Sequence, residues 1–183
     1  MTETDKTSIT FYGGARIVTG ANFLLTTTNG KFLVDCGLFQ GGKIVEDKNR
    51  ESFPYDPASI DGLFITHAHL DHVGRIPKLV HDGFRGKIYS TPPTREIAEL
   101  ILIDSLGVME KEARVTHKPL LYDENDVRAA LRLWQAIEYR EPFNLTPLAT
   151  GRADNLTVTF RDAGHILGSA MIEFSVQSQK ILF

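Results

Sequence analysis

Thr66-His67-Ala68-His69-Leu70-Asp71-His72-Val73-Gly74 is the stretch whose reading decides the fold. Four metal-capable side chains fall within the six residues from His67 to His72. Leu63-Phe64-Ile65, immediately before them, reads as a short buried strand, so the cluster sits where a strand gives way to a loop. His67 and His69 alternate, and on extended backbone they point the same way. Asp71 and His72 follow where the chain turns, and can face a second point in space. Imidazole and carboxylate together suit a borderline divalent ion such as zinc. Two ligand pairs so close together indicate two metals sharing one site rather than a single closed structural site. The plainer reading is a polar loop rich in histidine. It suits the isolated His81 and His117, but not three histidines and an aspartate at this spacing behind an apolar strand.

The chain has 183 residues, 42% hydrophobic and 23% charged, which is ordinary for one globular domain with a real core. Cys36 is the single cysteine, so no internal disulfide is possible and a reducing compartment is expected. Its place in Phe32-Leu33-Val34-Asp35-Cys36 reads as a small core residue. Neither a signal peptide nor a membrane-length apolar run is visible, which makes a cytoplasmic location the default expectation. Met1 to Ser8 is polar and is expected to fray. The net charge of −3 argues against a broad basic surface for nucleic acid, though not against a local groove.

Working outward towards the N-terminus, Ile9-Thr10-Phe11-Tyr12 alternates as an opening strand and Gly13-Gly14 breaks it. Phe23-Leu24-Leu25 and Lys31-Phe32-Leu33-Val34 flank Asn29-Gly30, a strong hairpin signal. From Gly41-Gly42 to Ser52 the polar run reads as a loop, with Pro54 and Pro57 closing it. On the other side of the cluster, Ile76, Leu79 and Val80 fall at helical spacing between Gly74 and Asp82, with Pro77 in the first turn. Lys87-Ile88-Tyr89-Ser90 is a short strand. Thr91-Pro92-Pro93-Thr94 reads as a helix start. The helix from Pro92 to Met109 is apolar on more than one face, which predicts thorough burial. Lys111 to Leu121 reads as irregular. Asp123 and Asp126 resemble an N-cap arrangement, and Val127, Ala130, Leu131, Trp134 and Ile137 continue at helical spacing, with Trp134 read as core. Pro142 and Pro147 bracket a connection. Leu156–Phe160, Ala170–Val176 and Lys180–Phe183 alternate as strands. Interleaved strands and helices, joined by hairpins as well as crossovers, predict mixed α/β layers in a single domain.

A second anchor lies far downstream, in Ala163-Gly164-His165-Ile166-Leu167-Gly168-Ser169-Ala170. His165 falls at a strand end between glycines, which let backbone approach closely at a crowded site. It supplies a natural third histidine beside His67 and His69. Three neutral imidazoles leave an open position for water, the mark of a catalytic zinc site.

His67-Ala68-His69-Leu70-Asp71-His72 resembles the HxHxDH motif of the metallo-β-lactamase fold. The Gly-His-x-x-Gly-Ser-Ala pattern around His165 resembles the β-CASP branch of that fold, which contains RNA-processing endonucleases, 5′ exonucleases and some DNA nucleases. Gly13-Gly14-Ala15-Arg16-Ile17-Val18-Thr19-Gly20 is similar to the branch's opening motif, and Asp35-Cys36-Gly37 to its first acidic motif. The likeness extends over the Pro92–Met109 helix and the Tyr122–Tyr139 segment. It implies an αββα sandwich, here only its N-terminal part. It implies His67, His69 and His165 on a first zinc, Asp71 and His72 on a second, and Asp35 bracing the histidine loop by hydrogen bonds; a plain turn aspartate is the alternative for Asp35. It also implies a metal-activated water attacking a phosphodiester of single-stranded RNA, with Asp71 sharing in proton handling.

The sequence departs from the branch in one respect. The aspartate that bridges both metals in the family, the cap domain and the later histidine motifs do not occur within residues 1–183. The chain is therefore expected to be the N-terminal part of a longer enzyme, weakly active alone, with an exposed apolar surface or strand edge that favours self-association. Two other functions share parts of the pattern. A thioester or lactam hydrolase would use the same HxHxDH cluster, but the surroundings of His165 favour the nuclease. A silent scaffold subunit would be expected to lose ligands, and all five are present.

Overall fold

The structure is a computed structural model that describes residues 7–145, 156–176 and 178–183. Residues 1–6 of the polar start and Pro147 of the expected connection lie outside the described residues.

Among the described residues, ten strands form two sheets. The first carries β1 (Ser8–Gly13), β2 (Asn22–Thr27), β3 (Gly30–Val34), β4 (Gly62–Phe64), β5 (Lys87–Ser90) and β6 (Trp134–Ala136), in that order across the sheet. The β1–β2–β3 pairs are antiparallel and the β3–β4–β5–β6 pairs parallel. The second sheet is antiparallel, in the order β10 (Gln179–Leu182), β9 (Ala170–Val176), β8 (Leu156–Asp162), β7 (Phe143–Leu145). The helices are α1 (Lys43–Asp47), α2 (Leu70–Val73), α3 (Ile76–His81), α4 (Pro92–Thr116) and α5 (Glu124–Leu133).

Alternation along each strand makes the layers. Leu24, Leu33, Leu63 and Ile88 point to one side, where they meet Ala98, Leu102 and Leu106 of α4 and Val127 and Ala130 of α5. Their neighbours Leu25, Phe32, Val34 and Phe64 point to the other side and pack on Val158, Phe160, Ile172 and Phe174 of the second sheet. Phe64 is the centre of that inter-sheet core. Its ring stacks on Tyr89 at 4.9 Å and meets the edge of Phe174 at 4.9 Å. Burying such a ring contributes about 1.5–3 kcal/mol. The outer face of the second sheet is polar and carries Glu173 between Arg161 and Lys180. Among the described residues no helix covers it, so the α/β/β part of the sandwich is what this chain presents.

Several elements differ from the sequence expectation. Residues 43–50 are not loop but α1 followed by a 3-10 turn at Lys48–Arg50. The cause is tertiary: the buried Asn49 amide pairs with both the N–H and the carbonyl of Phe39, at 2.8 and 2.9 Å. Ser8 is already paired with Thr26 in β1. The helix expected between Gly74 and Asp82 is α3, with Pro77 in its first turn; what the sequence does not indicate is the short helix before it, α2, which takes in Asp71 and His72 of the histidine cluster. Residues 117–121 are irregular as expected, but the α4 helix runs on into the start of that stretch as far as Thr116, because no breaker intervenes before His117 ends it in the left-handed region at φ 55°. It is also buried on one face only. Leu100 is 69% exposed, Ile103 54% and Val115 80%. Leu100 and Ile103 alternate with the buried Ala98, Leu102 and Leu106 and so lie on the face turned away from the sheet, whereas Val115 lies beyond the last buried residue of the helix. The α5 helix begins at the Asp123 capping box as expected but ends at Leu133. Trp134 then pairs with Ile88 in β6, its indole N–H donating to Ser90 Oγ at 2.8 Å, so it is a core residue on a strand rather than on a helix. The short strand β7 carries only a weak local pattern and exists by pairing with β8.

Cys36 is fully buried behind the β3 end. Burial pushes its thiol up to about 12, against the lowering pull of Arg75 and Lys78. The thiolate is the reactive form. A disulfide reagent at pH 8 is expected to leave the folded chain unlabelled and to modify one thiol once guanidinium unfolds it. Rapid labelling of the folded chain would remove Cys36 from the core.

Candidate metal centre

The parallel strands β3 and β4 end side by side, and their tips build the site. Asp35 follows β3 and Thr66 follows β4; Asp35 N donates to Phe64 O at 2.8 Å, which keeps the two tips in register. Asp35 takes a left-handed conformation, φ 58°, which aspartate tolerates better than most residues. That turn directs a buried carboxylate under the histidine loop.

Hydrogen-bond counting then fixes two ring orientations. Thr66 donates to Asp35 twice, from N to Oδ1 at 2.8 Å and from the hydroxyl to Oδ2 at 2.7 Å. A carboxylate only accepts, so the hydroxyl proton is committed to it. Thr66 Oγ1 can therefore only accept from His67 Nδ1, 2.9 Å away. His67 carries its proton on Nδ1 and keeps a lone pair on Nε2. Burial, then the neighbouring His72, His69 and His165, push its pKa down to about 3, so the ring stays neutral. His72 Nδ1 lies 2.7 Å from Asp35 Oδ2 and also donates, leaving its Nε2 free. Burial lowers the His72 pKa, but the Asp35 hydrogen bond and charge, with Asp71, outweigh it and raise the value.

His69 precedes α2 and His165 lies in the β8–β9 loop, yet both reach His67. His67 Nε2 stands 3.1 Å from His69 Nδ1, and His165 Nε2 stands 3.4 Å from the same atom. The three donor atoms fall within 4.8 Å of one another. Nitrogens at about 2.0–2.1 Å from a tetrahedral zinc would stand about 3.3–3.4 Å apart. The set has the right chemistry and close to the right spacing to hold such an ion. Beside it, Asp71 Oδ2 and His72 Nε2 lie 3.8 Å apart, and the His67 and His72 rings have centroids 3.9 Å apart. The five sequence-predicted donors thus gather at one place, with Asp35 beneath them. His81 lies elsewhere, against Asp126, and His117 is at the end of α4.

A family model described as the metallo-beta-lactamase superfamily domain matches residues 24–183. The chain belongs to the metallo-beta-lactamase superfamily. Membership implies metal binding, and the histidine group above could hold the ion. Among solved structures, the superfamily protein YhfI from Bacillus subtilis matches 97% of this chain and 62% of its own, with TM-score 0.56 at 18% identity. MEM-A1, a subclass B3 metallo-beta-lactamase from a soil metagenome library, matches 90% of this chain and 55% of its own, with TM-score 0.52 at 16% identity. These two likenesses concern the fold alone. Closer in sequence are ribonuclease TTHA0252 of Thermus thermophilus, 36% identical over 94% of this chain, and transcription termination factor FttA of Methanosarcina mazei, 35% identical over 92%. The superfamily chain described here spans about a third of the first of these relatives and a quarter of the second.

Two groups of residues around the centre had no assigned role in the sequence. Thr66 was visible as a hydroxyl directly before His67, but its part depends on Asp35, brought alongside by strand pairing. Thr91, Thr94 and Tyr139, which hold the His165 loop, come from other elements and leave no local signal.

Proposed function

We propose that this superfamily chain carries the metal-binding centre of a zinc-dependent ribonuclease that hydrolyses phosphodiester bonds of single-stranded RNA in the cytoplasm. The observation that carries the reading is the convergence of His67 Nε2, His69 Nδ1 and His165 Nε2 at metal-ligand spacing, in a chain 36% identical to a ribonuclease over nearly its whole length. His67, His69 and His165 would hold a first zinc, and Asp71 and His72 a second. Bound zinc would supply Lewis acidity and bring the pKa of a water molecule to about 7. Asp35 orients His72 directly and His67 through Thr66, the kind of support that keeps ligands in working geometry. Asp71 is half-buried beside His72 and can accept a proton from the attacking water. The full donor set disfavours a silent scaffold, and the two sequence relatives favour RNA over a thioester or lactam.

In this reading residues 1–183 are the N-terminal part of the metallo-β-lactamase-type domain, and the β-CASP cap lies outside them. No described helix is long and apolar enough to cross a membrane. Edge strands β1 and β10, with Phe11 and Leu182 exposed, favour self-association. The assay is zinc-dependent cleavage of a labelled single-stranded RNA. Slow cleavage is expected from this chain, faster cleavage from a polypeptide of the relatives' length, and none from His67→Ala. Equal activity with and without zinc, or in His67→Ala, would overturn the proposal.

A further inference from the structure

His165 is the one histidine of the group held on an exposed loop rather than beside the β4 tip, and its own side chain is exposed. Something other than packing around the ring must fix it. The loop closes on itself through Ile166 N, which donates to Ser169 Oγ at 2.8 Å, and Ser169 N, which donates to Ile166 O at 2.9 Å. Its outward anchors lie at its C-terminal end. Ala170 N donates to Thr66 O at 2.8 Å, and Tyr139 OH to Ser169 O at 2.9 Å. The Gly168 carbonyl receives two hydroxyls at once, from Thr91 at 2.5 Å and from Thr94 at 2.7 Å.

Those two threonines are wholly buried at the start of α4, with Thr91 its N-cap. Two side-chain donors on one carbonyl use both of its lone pairs. Gly168 has φ 87°, and a Cβ there would stand 2.5 Å from Thr94 N, so the loop backbone is seated directly on the first turn of the helix. Isolated helix capping needs Thr91 alone; it does not need a second buried hydroxyl aimed at a distant loop.

We propose that Thr91 and Thr94 are positioning residues for the metal centre. By clamping the Gly168 carbonyl they hold His165 Nε2 at 3.4 Å from His69 Nδ1, the spacing of two ligands on one metal, and within 4.8 Å of the His67 donor. The proposal rests on the metal reading given above, and extends it to a pair of residues that touch neither metal nor substrate. Thr94 is the sharper of the two to test, because its hydroxyl donates to Gly168 whereas Thr91 also caps the helix.

The experiment is a cobalt(II) titration of the purified 183-residue chain, read by visible absorption and by a calorimetric dissociation constant. Thr94→Val keeps the shape and removes the donor. Support of this kind is worth about 10–100-fold in metal affinity. We expect Thr94→Val to bind cobalt about tenfold or more weakly, with a spectrum shifted towards that of His165→Ala. Thr94→Ser, which keeps the hydroxyl, should match the parent chain in both. Wild-type affinity and spectrum in Thr94→Val would overturn the clamp, as would equal losses in Thr94→Val and Thr94→Ser. Circular dichroism of the metal-free chains separates this from loss of fold. Should Thr94→Val not fold, Thr94→Ala carries the same test. Failure of the parent chain to bind cobalt, or undiminished binding in His165→Ala, would overturn the metal reading itself and the clamp with it.

Discussion

Replacing His165 with alanine is expected to abolish tight metal retention while leaving the chain folded. The ring is exposed and sits on a loop, so its removal opens no cavity. It does remove one of three nitrogens that converge at 3.1 and 3.4 Å. A four-ligand zinc site is worth about 10–16 kcal/mol, so one ligand accounts for about 2.5–4 kcal/mol, or about 60-fold to 700-fold in affinity. His67→Ala should cost as much metal and also some stability, because His67 is buried and bonded to Thr66. His81→Ala and His117→Ala should leave metal content unchanged. The parent chain has three converging nitrogens for one ion but only Asp71 and His72 for another. Elemental analysis after dialysis should therefore find nearer one zinc than two per chain. Two retained zincs, or a loss in His117→Ala as complete as in His165→Ala, would show the ligand assignment to be wrong.

The candidate donors of this site were legible in the sequence because their signal is local. His67, His69, Asp71 and His72 lie within six residues behind an apolar strand, and His165 is marked by flanking glycines. The hairpin at Asn29-Gly30, β5 and β9 were legible for the same reason: turn chemistry and alternation are properties of short windows. What could not be read is what strand pairing or packing decides. Trp134 continues a helical spacing, yet it is drawn into β6 by Ile88 and Ser90, more than forty residues away. Asn49 turns a polar run into helix by pairing with Phe39. The apolar positions of α4 predicted burial all round, but periodicity cannot tell how much sheet lies beneath a helix. Leu100 is exposed because it lies on the face of α4 opposite Ala98 and Leu102, and Val115 because it lies beyond the last buried residue of the helix. Around the metal centre the division is the same. The atoms that point at the metal position are written locally, whereas the Asp35–Thr66 network and the Thr91–Thr94 clamp arise from separate elements.

Gly37→Ala is expected to be among the most destabilising single substitutions in the chain, although it adds one methyl group. Three segments meet at this glycine through their backbones. Gly37 N donates to Ala21 O and Ala21 N to Asp71 O, each at 2.9 Å; Cys36 N donates to His72 O at 2.7 Å, and Leu38 N to Leu70 O at 2.9 Å. Arg75, buried and stacked over the Phe39 ring, closes the arrangement by donating from Nε to Gly37 O at 2.7 Å. The Asp71–His72 turn is thereby laid flat against Gly37. An added Cβ would stand 1.5 Å from Asp71 O and 2.5 Å from His72 N, and neither is a flexible side-chain end that could move aside. The three segments must separate, breaking several buried hydrogen bonds at about 1–3 kcal/mol for each group left unsatisfied. A loss above about 4 kcal/mol is expected, which corresponds to a fall in melting temperature of about 8–16 °C for a domain of this size. Gly107 supplies the contrast. It lies inside α4 with nothing near its Cβ position, so Gly107→Ala should stabilise the chain by about 0.5–1 kcal/mol through helix propensity. Differential scanning calorimetry of the two metal-free variants checks both signs. A Gly37→Ala chain that melts with the parent would mean that the Asp71–His72 turn is not seated on Gly37.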